Sequence, residues 1–327
     1  MDLKVGVAGA TGALGAEILK VLDKAPWRPK VVVPSASART AIDAVSYGES
    51  RLTVEDLATE ELGELDLLIL AVPPAIAQPI VSQAIADGLL IVDASASLPG
   101  VPLVVPWINP EVLADARAVA VPDGPALLLA SILGPLGRAG IAGEVDATVL
   151  VPASAFGKSG IDELSKAVVA LFNSGTAPRK IFDGGLAFDL APVVGGGVTE
   201  AGWTDRELST SSAVRILTGW EGEIRITLVL APLFSGLSAT VSLRPRRRVL
   251  ADLALRVLAD GGARIGGNDA RAVPRPRKVE GRPFAHVGRV RASPAGDHLS
   301  LWITMDNLHT AAVAAVGAAG AMVRRTG

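Results

Sequence analysis

Apolar residues in this chain come in short unbroken runs with helical stretches between them. Residues 5–8, 30–33, 67–72, 89–93 and 118–121 are dominated by Val, Leu, Ile and Ala. Continuous apolar runs of this length mark strands buried on both faces, as in a parallel sheet. Helical patterns at 13–22 and 77–86 connect the first of them, which predicts a doubly wound sheet with right-handed crossovers. Near Gly143 the pattern changes. Longer strands are predicted at 147–152, 224–230, 238–243 and 298–305, with helices at 160–172 and 205–217. Strands and helices grouped in this way predict an α+β second domain with a mixed or antiparallel sheet. An Ala-rich helix closes the chain at 310–323, where Gly317 and Gly320 permit close packing back onto the first domain. The domains expected are therefore 1–125, 126–305 and a returning helix within 306–327.

At 327 residues the chain is long enough for two domains with separate cores. Its formal net charge of -2 offers no footprint for nucleic acid, and the basic stretches at 244–248 and 271–278 read as solvated loop charge. The most apolar stretch, 65–80, carries Asp66, Pro73, Pro74 and Pro79 and is too short and broken to span a bilayer. No leader pattern opens the sequence, so the expectation is a cytoplasmic protein. The chain contains no cysteine. A thiol nucleophile is excluded on that ground alone. The three histidines, His286, His298 and His309, lack the spacing of a metal site, so no metal is expected.

The first strand runs into Gly9-Ala10-Thr11-Gly12-Ala13-Leu14-Gly15 and then a helix. Glycines at every third residue allow a tight turn and a close backbone approach to a pyrophosphate, while the helix amino end supplies partial positive charge. The alternative is a tight strand-to-helix turn without a ligand. The second strand ends in no acid that could accept from a ribose 2′-hydroxyl. It leads instead to Ser35, Ser37 and Arg39, and hydroxyls with a guanidinium suit a 2′-phosphate, so NADP is favoured over NAD. An exposed polar loop is the alternative for these three.

With this Rossmann-type opening, further markers carry a resemblance over nearly the whole chain. They are Val101-Pro102-Leu103-Val104-Val105-Pro106-Trp107-Ile108-Asn109-Pro110-Glu111, Val287-Gly288-Arg289-Val290-Arg291 and Leu301-Trp302-Ile303-Thr304-Met305-Asp306-Asn307-Leu308. The chain resembles the aspartate-semialdehyde dehydrogenase family, including its USG-1 paralogues. The resemblance implies cofactor contacts at Gly9, Thr11, Gly12, Ala13, Leu14, Gly15, Ser35, Ser37, Arg39 and Asn307. It also implies a homodimer formed through the second domain's sheet.

The positions that carry chemistry in active members are altered. Gly124, in Val121-Pro122-Asp123-Gly124-Pro125, stands where the family has its cysteine, and Pro125 removes a backbone N–H. In Leu230-Ala231-Pro232-Leu233-Phe234-Ser235-Gly236-Leu237, Leu230 replaces the substrate-binding Arg and Leu237 the acid–base His. Ser154 replaces the positioning Gln, the Phe-Arg segment is shortened to Leu98-Pro99-Gly100, and Leu208 stands on the helix that carries a substrate Lys. Asp123, Lys158 and Ser154 read as turn and loop residues rather than substitute catalysts.

These readings lead to a homologue without the phosphorylating dehydrogenase reaction, a pseudoenzyme that keeps NADP binding or has lost it and acts by protein association. A heteromeric partner is open. The alternative is an NADP-dependent oxidoreductase with a thiol-free mechanism and a more apolar carbonyl substrate. A purely structural protein is a third reading, against which the retained glycines argue.

Overall fold

The structure, a computed structural model, describes residues 3–37, 44–57, 62–86, 88–95, 100–195 and 197–326. Two compact units divide it: Met1–Asp123 with Ala311–Gly327, and Gly124–Thr310.

In the first unit β1 (Lys4–Ala8) leads into α1 (Ala13–Asp23) and β2 (Val31–Ala36). A hairpin of β3 (Ala44–Tyr47) and β4 (Ser50–Thr53) follows, then β5 (Glu55–Asp56), β6 (Leu67–Leu70), α2 (Pro74–Ala86), β7 (Leu90–Asp93) and β8 (Ala118–Ala120). Six strands pair in the order β5-β2-β1-β6-β7-β8, all parallel. The strands of the apolar runs are buried on both faces. Val5, Val7, Leu67 and Ile69 join a core with Ile18 and Leu22 of α1, while Leu68, Leu70 and Ile91 join another with Ala77, Val81 and Ala84 of α2. Each fully buried Leu, Ile or Val side chain contributes about 1.5–3 kcal/mol, which is why unbroken apolar runs specify this layer.

The second unit begins with α3 (Gly124–Arg138), β9 (Gly143–Val151), α4 (Gly157–Phe172) and α5 (Asp205–Thr218). It continues through β10 (Ile224–Leu230), β11 (Leu237–Pro245), α6 (Ala251–Asp260), β12 (Arg264–Ile265), α7 (Pro276–Val279), β13 (His286–Ala292) and β14 (Leu299–Met305). Its sheet runs β10-β9-β11-β14-β13-β12 and is mixed: β9 and β10 are parallel, whereas β11 is antiparallel to both β9 and β14. Alternate residues of β9 and β10 are buried, and α3 and α5 pack on the buried side. Thr148, Thr227 and Thr240 are exposed on the other side, where Arg225 pairs with Asp146 at 2.6 Å. The long strands are apolar toward their helices and hydroxylated toward the open face.

The final helix, α8 (Asn307–Thr326), has its first turn in the second unit and its remainder in the first. Ala312, Ala315, Ala319 and Met322 enter the first unit's core, and the Trp27 indole lies directly on Gly320.

Two buried carboxylates organise the connection between α4 and β10. Glu163 on α4 accepts the backbone N–H groups of Lys180, Ile181 and Phe182 at 2.9–3.1 Å. Glu207 accepts from Thr204 N and Leu228 N, forming a capping box with Thr204 at the start of α5. Burial pushes the Glu163 carboxyl upward, but the three backbone donors outweigh it and hold the group below its ordinary value. Such a depressed carboxylate stabilises the fold above the unfolded value near 4.5 and ceases to do so as the pH falls through the folded value. Glu163→Gln is expected to cost about 1.5–3 kcal/mol in denaturant unfolding at pH 7. The gap to the parent should narrow below pH 4, and a gap unchanged with pH would refute the assignment.

Candidate functional site

Within the first unit, the site is the turn between β1 and α1. Gly9 has φ +82°, a left-handed conformation that glycine tolerates, and its N–H and that of Ala10 both donate to Ser35 O, at 2.8 and 3.1 Å. A Cβ on Gly9 would lie 2.4 Å from Ala71 O, and one on Gly15 2.1 Å from Gly9 O. Both positions demand glycine. α1 then starts at Ala13 with Gly12 as its N-cap and no side chain capping it. Its first-turn amides therefore lie beside the turn, as an anionic ligand requires.

The second strand differs from expectation. β2 continues through Ala36, so Ser35 is inside the strand, paired with Ala8 on one side and Glu55 on the other, and does not end it. β1 carries the ladder through Ser35, and the unforeseen β5 adds Ala36 to it. The Ser35 hydroxyl is buried without a hydrogen-bond partner, while the carbonyl of the same residue receives the two amides of the turn. An orphaned hydroxyl next to a turn that excludes Cβ atoms fits a nucleotide's polar groups. Ser37 follows the strand and is exposed. Arg39 lies outside the described residues, as do Leu98 and Pro99.

In the second unit, four expected positions come together. Gly124 opens α3, and a Cβ built on it would stand 2.7 Å from Leu237 Cδ1 and 3.5 Å from Asn307 Cβ. The leucine methyl occupies the space beside the first turn of the helix. Asn307 Oδ1 accepts from Ser154 Oγ at 3.1 Å and from Gly236 N at 3.0 Å. Those donors fix the carboxamide's orientation, and its NH2 end makes no hydrogen bond among the described residues. Gly236 is itself left-handed, at φ +88°, with Pro276 packed where its side chain would be.

Leu230 ends β10, buried, bonded through its backbone to Ala191 and in register with Val151. Ala153 and Ser154 donate backbone N–H groups to Leu233 and Phe234, so the turn after Leu230 is clamped to the strand end carrying Ser154. Leu208, in contrast, is exposed on α5, and Lys158 is exposed on α4.

Two working residues escaped the sequence reading. Asp93, fully buried at the end of β7, accepts both the backbone N–H and the hydroxyl of Ser95. Asp306 caps α8 by accepting from Leu308 N and His309 N, while its other oxygen takes Gly281 N at 2.8 Å. Each had a signal: an Asp ending an apolar run, followed by Ser or by a helical pattern, is a turn or N-cap residue. Among the described residues no group of three or more His, Asp or Glu could hold a metal ion, and no helix is long and apolar enough to cross a membrane.

Comparison with known proteins agrees with this architecture. The family profile of the semialdehyde dehydrogenase NAD binding domain matches residues 4–116, and that of the semialdehyde dehydrogenase dimerisation domain matches 133–310. A USG-1 protein homologue of Azotobacter vinelandii is 30% identical over 94% of this chain and 93% of its own length. An aspartate-semialdehyde dehydrogenase of Rickettsia conorii is 27% identical, covering 94% of each chain. The structure of a probable aspartate-semialdehyde dehydrogenase from Pseudomonas aeruginosa superposes with a TM-score of 0.90 at 28% identity, over 99% of both chains. With both of its domains matched and a USG-1 homologue related along its length, the chain belongs to the semialdehyde dehydrogenase family.

Proposed function

We propose that this protein is a USG-1-like pseudoenzyme: a member of the family that binds NADP, does not carry out the phosphorylating dehydrogenase reaction, and works in the cytoplasm by association with protein, first as a homodimer. The observation that carries the reading is the contact at Gly124. The family's cysteine position has no side chain, and a Leu237 methyl stands 2.7 Å from where a Cβ would be, so a side chain there would have to displace it. Leu230 and Leu237 can neither pair with a carboxylate nor transfer a proton, and no cysteine exists elsewhere in the chain.

For cofactor binding the support is the Gly9 to Gly15 turn, the uncapped amino end of α1 and the orphaned Ser35 hydroxyl. Thr11, Gly12, Ala13 and Leu14 complete the turn. Ser37 and Arg39 select the 2′-phosphate. A bound nicotinamide would supply hydride chemistry to a carbonyl; the chain's part would be to hold the pyrophosphate and ribose. For the homodimer the support is the dimerisation-domain match and the open, threonine-lined face of the mixed sheet.

The deciding experiment is calorimetric titration with NADPH and then NADH. Micromolar NADPH binding is expected, and Arg39→Ala should weaken it about tenfold, the loss of one charge-assisted hydrogen bond, with NADH unaffected. Absence of binding by either nucleotide would refute the cofactor reading. Steady-state turnover of an apolar aldehyde with NADPH would favour the thiol-free oxidoreductase instead.

A second test addresses the filled position. Gly124→Cys should destabilise the protein by about 1–3 kcal/mol through overpacking. In a Leu237→Ala background the same change should cost at least ~0.5 kcal/mol less than additivity predicts. Strict additivity would show that the two side chains do not compete for one space.

A further inference from the structure

Outside the sites described so far, the second unit carries a cavity of about 470 Å³ at the β12 edge of its sheet. β12 and β13 run parallel there, which sets Arg264 opposite His286. The 266–275 loop is folded over the edge and pinned by Trp302 Nε1, which donates to Pro274 O at 2.8 Å. Pro274 and Val279, both buried, supply an apolar wall, while Arg264 reaches the cavity from β12 and Lys278 and Arg282 from α7 and the turn after it.

This collection of charge is unbalanced. No carboxylate among the described residues forms an ion pair with Arg264, Lys278 or Arg282. Asp269 interacts electrostatically with Lys278, but its Oδ1 is already occupied by the backbone N–H groups of Arg271 and Ala272. The Arg264 guanidinium lies over the Phe284 ring, which leaves its N–H groups unspent. Lys278 donates to Arg271 O. His286 lines the same cavity, and its Nε2 is enclosed without any partner. Burial and the two guanidiniums hold this imidazole below its ordinary pKa, as they would for a ring facing cations with no anion between them.

We propose that this cavity binds a small phosphate monoester, with the phosphate held by Arg264, Arg282 and Lys278, the His286 Nε2 completing its shell, and the organic part lying on Pro274 and Val279. Three cations and a ring nitrogen match the several acceptor oxygens and double charge of such a group better than the single charge of a carboxylate. The cavity volume falls within the range of small-molecule sites. The site belongs wholly to the second unit and depends on none of the residues assigned to NADP.

The chain's three histidines make the test direct. Imidazole ¹H–¹³C resonances are followed during titration with phenyl phosphate at low ionic strength, His286 being assigned by His286→Asn. A saturable shift confined to His286 is expected, with phenyl phosphate bound at least about threefold more tightly than inorganic phosphate because of the apolar wall. The exposed pair Arg264→Gln/Arg282→Gln should weaken binding about tenfold or more, and Lys278→Gln alone about threefold, with NADPH affinity unaltered. A His286 signal unmoved at millimolar phenyl phosphate would overturn the site. Equal binding by the arginine variants would overturn the residues assigned to it, and equal affinity for inorganic phosphate the organic ligand.

Discussion

The oxygen of one carboxamide holds the functional end of the second unit in place. Asn307 Oδ1 receives the Ser154 hydroxyl, from the turn after β9, and the Gly236 amide, from the turn before β11. Asp306, its neighbour, collects Gly281 N and the first amides of α8. Adjacent residues thus bind together segments far apart in sequence, and the Cβ of Asn307 stands against the first residue of α3. A buried acceptor with two donors is costly to disturb, because each donor left without it would lose its water as well. The positions of Leu237 and Ser154 relative to Gly124 follow from that junction.

Much of the architecture could be read from the chain, for definite reasons. The strands of the first unit are buried on both faces, so their apolar runs are unbroken, and the glycine turn is marked by positions where a Cβ has no room. α3 was not recognised as an element. Nearly all of its residues are buried, so it has no polar stripe to reveal a helical period, and Pro125 and Pro135 look like interruptions. α6 and β13 are likewise hard to read, the latter because a register shift between Gly288 and Arg291 puts buried Val287, Gly288 and Val290 out of strict alternation. Local pattern also places Ser35 at the end of its strand, since its pairing with Ala8 of β1 and Glu55 of β5 is a tertiary event.

For the candidate site, the residue types were legible and their contacts were not. Leu230 and Leu237 could be seen to lack acid–base or ionic function. That Leu237 fills the space above Gly124 depends on how β11 lies against α3, and no spacing along the chain encodes it. The cavity beside His286 was hidden for a related reason. Of its cations only Lys278 lies in the stretch that reads as solvated charge; Arg264 and Arg282 stand alone in the sequence, and only the pairing of β12 with β13 sets Arg264 beside the imidazole.

The contact between Leu237 and Gly124 also bears on descent. In a lineage that carries this pair, a mutation returning cysteine to position 124 sets its Cβ 2.7 Å from a Leu237 methyl, which must move aside, and selection would see that misfit before any chemistry. A smaller residue at 237 without the cysteine leaves a void instead. Either first step carries a penalty, so the route back must cross a fitness valley, and the packing of a single leucine can act as an evolutionary ratchet.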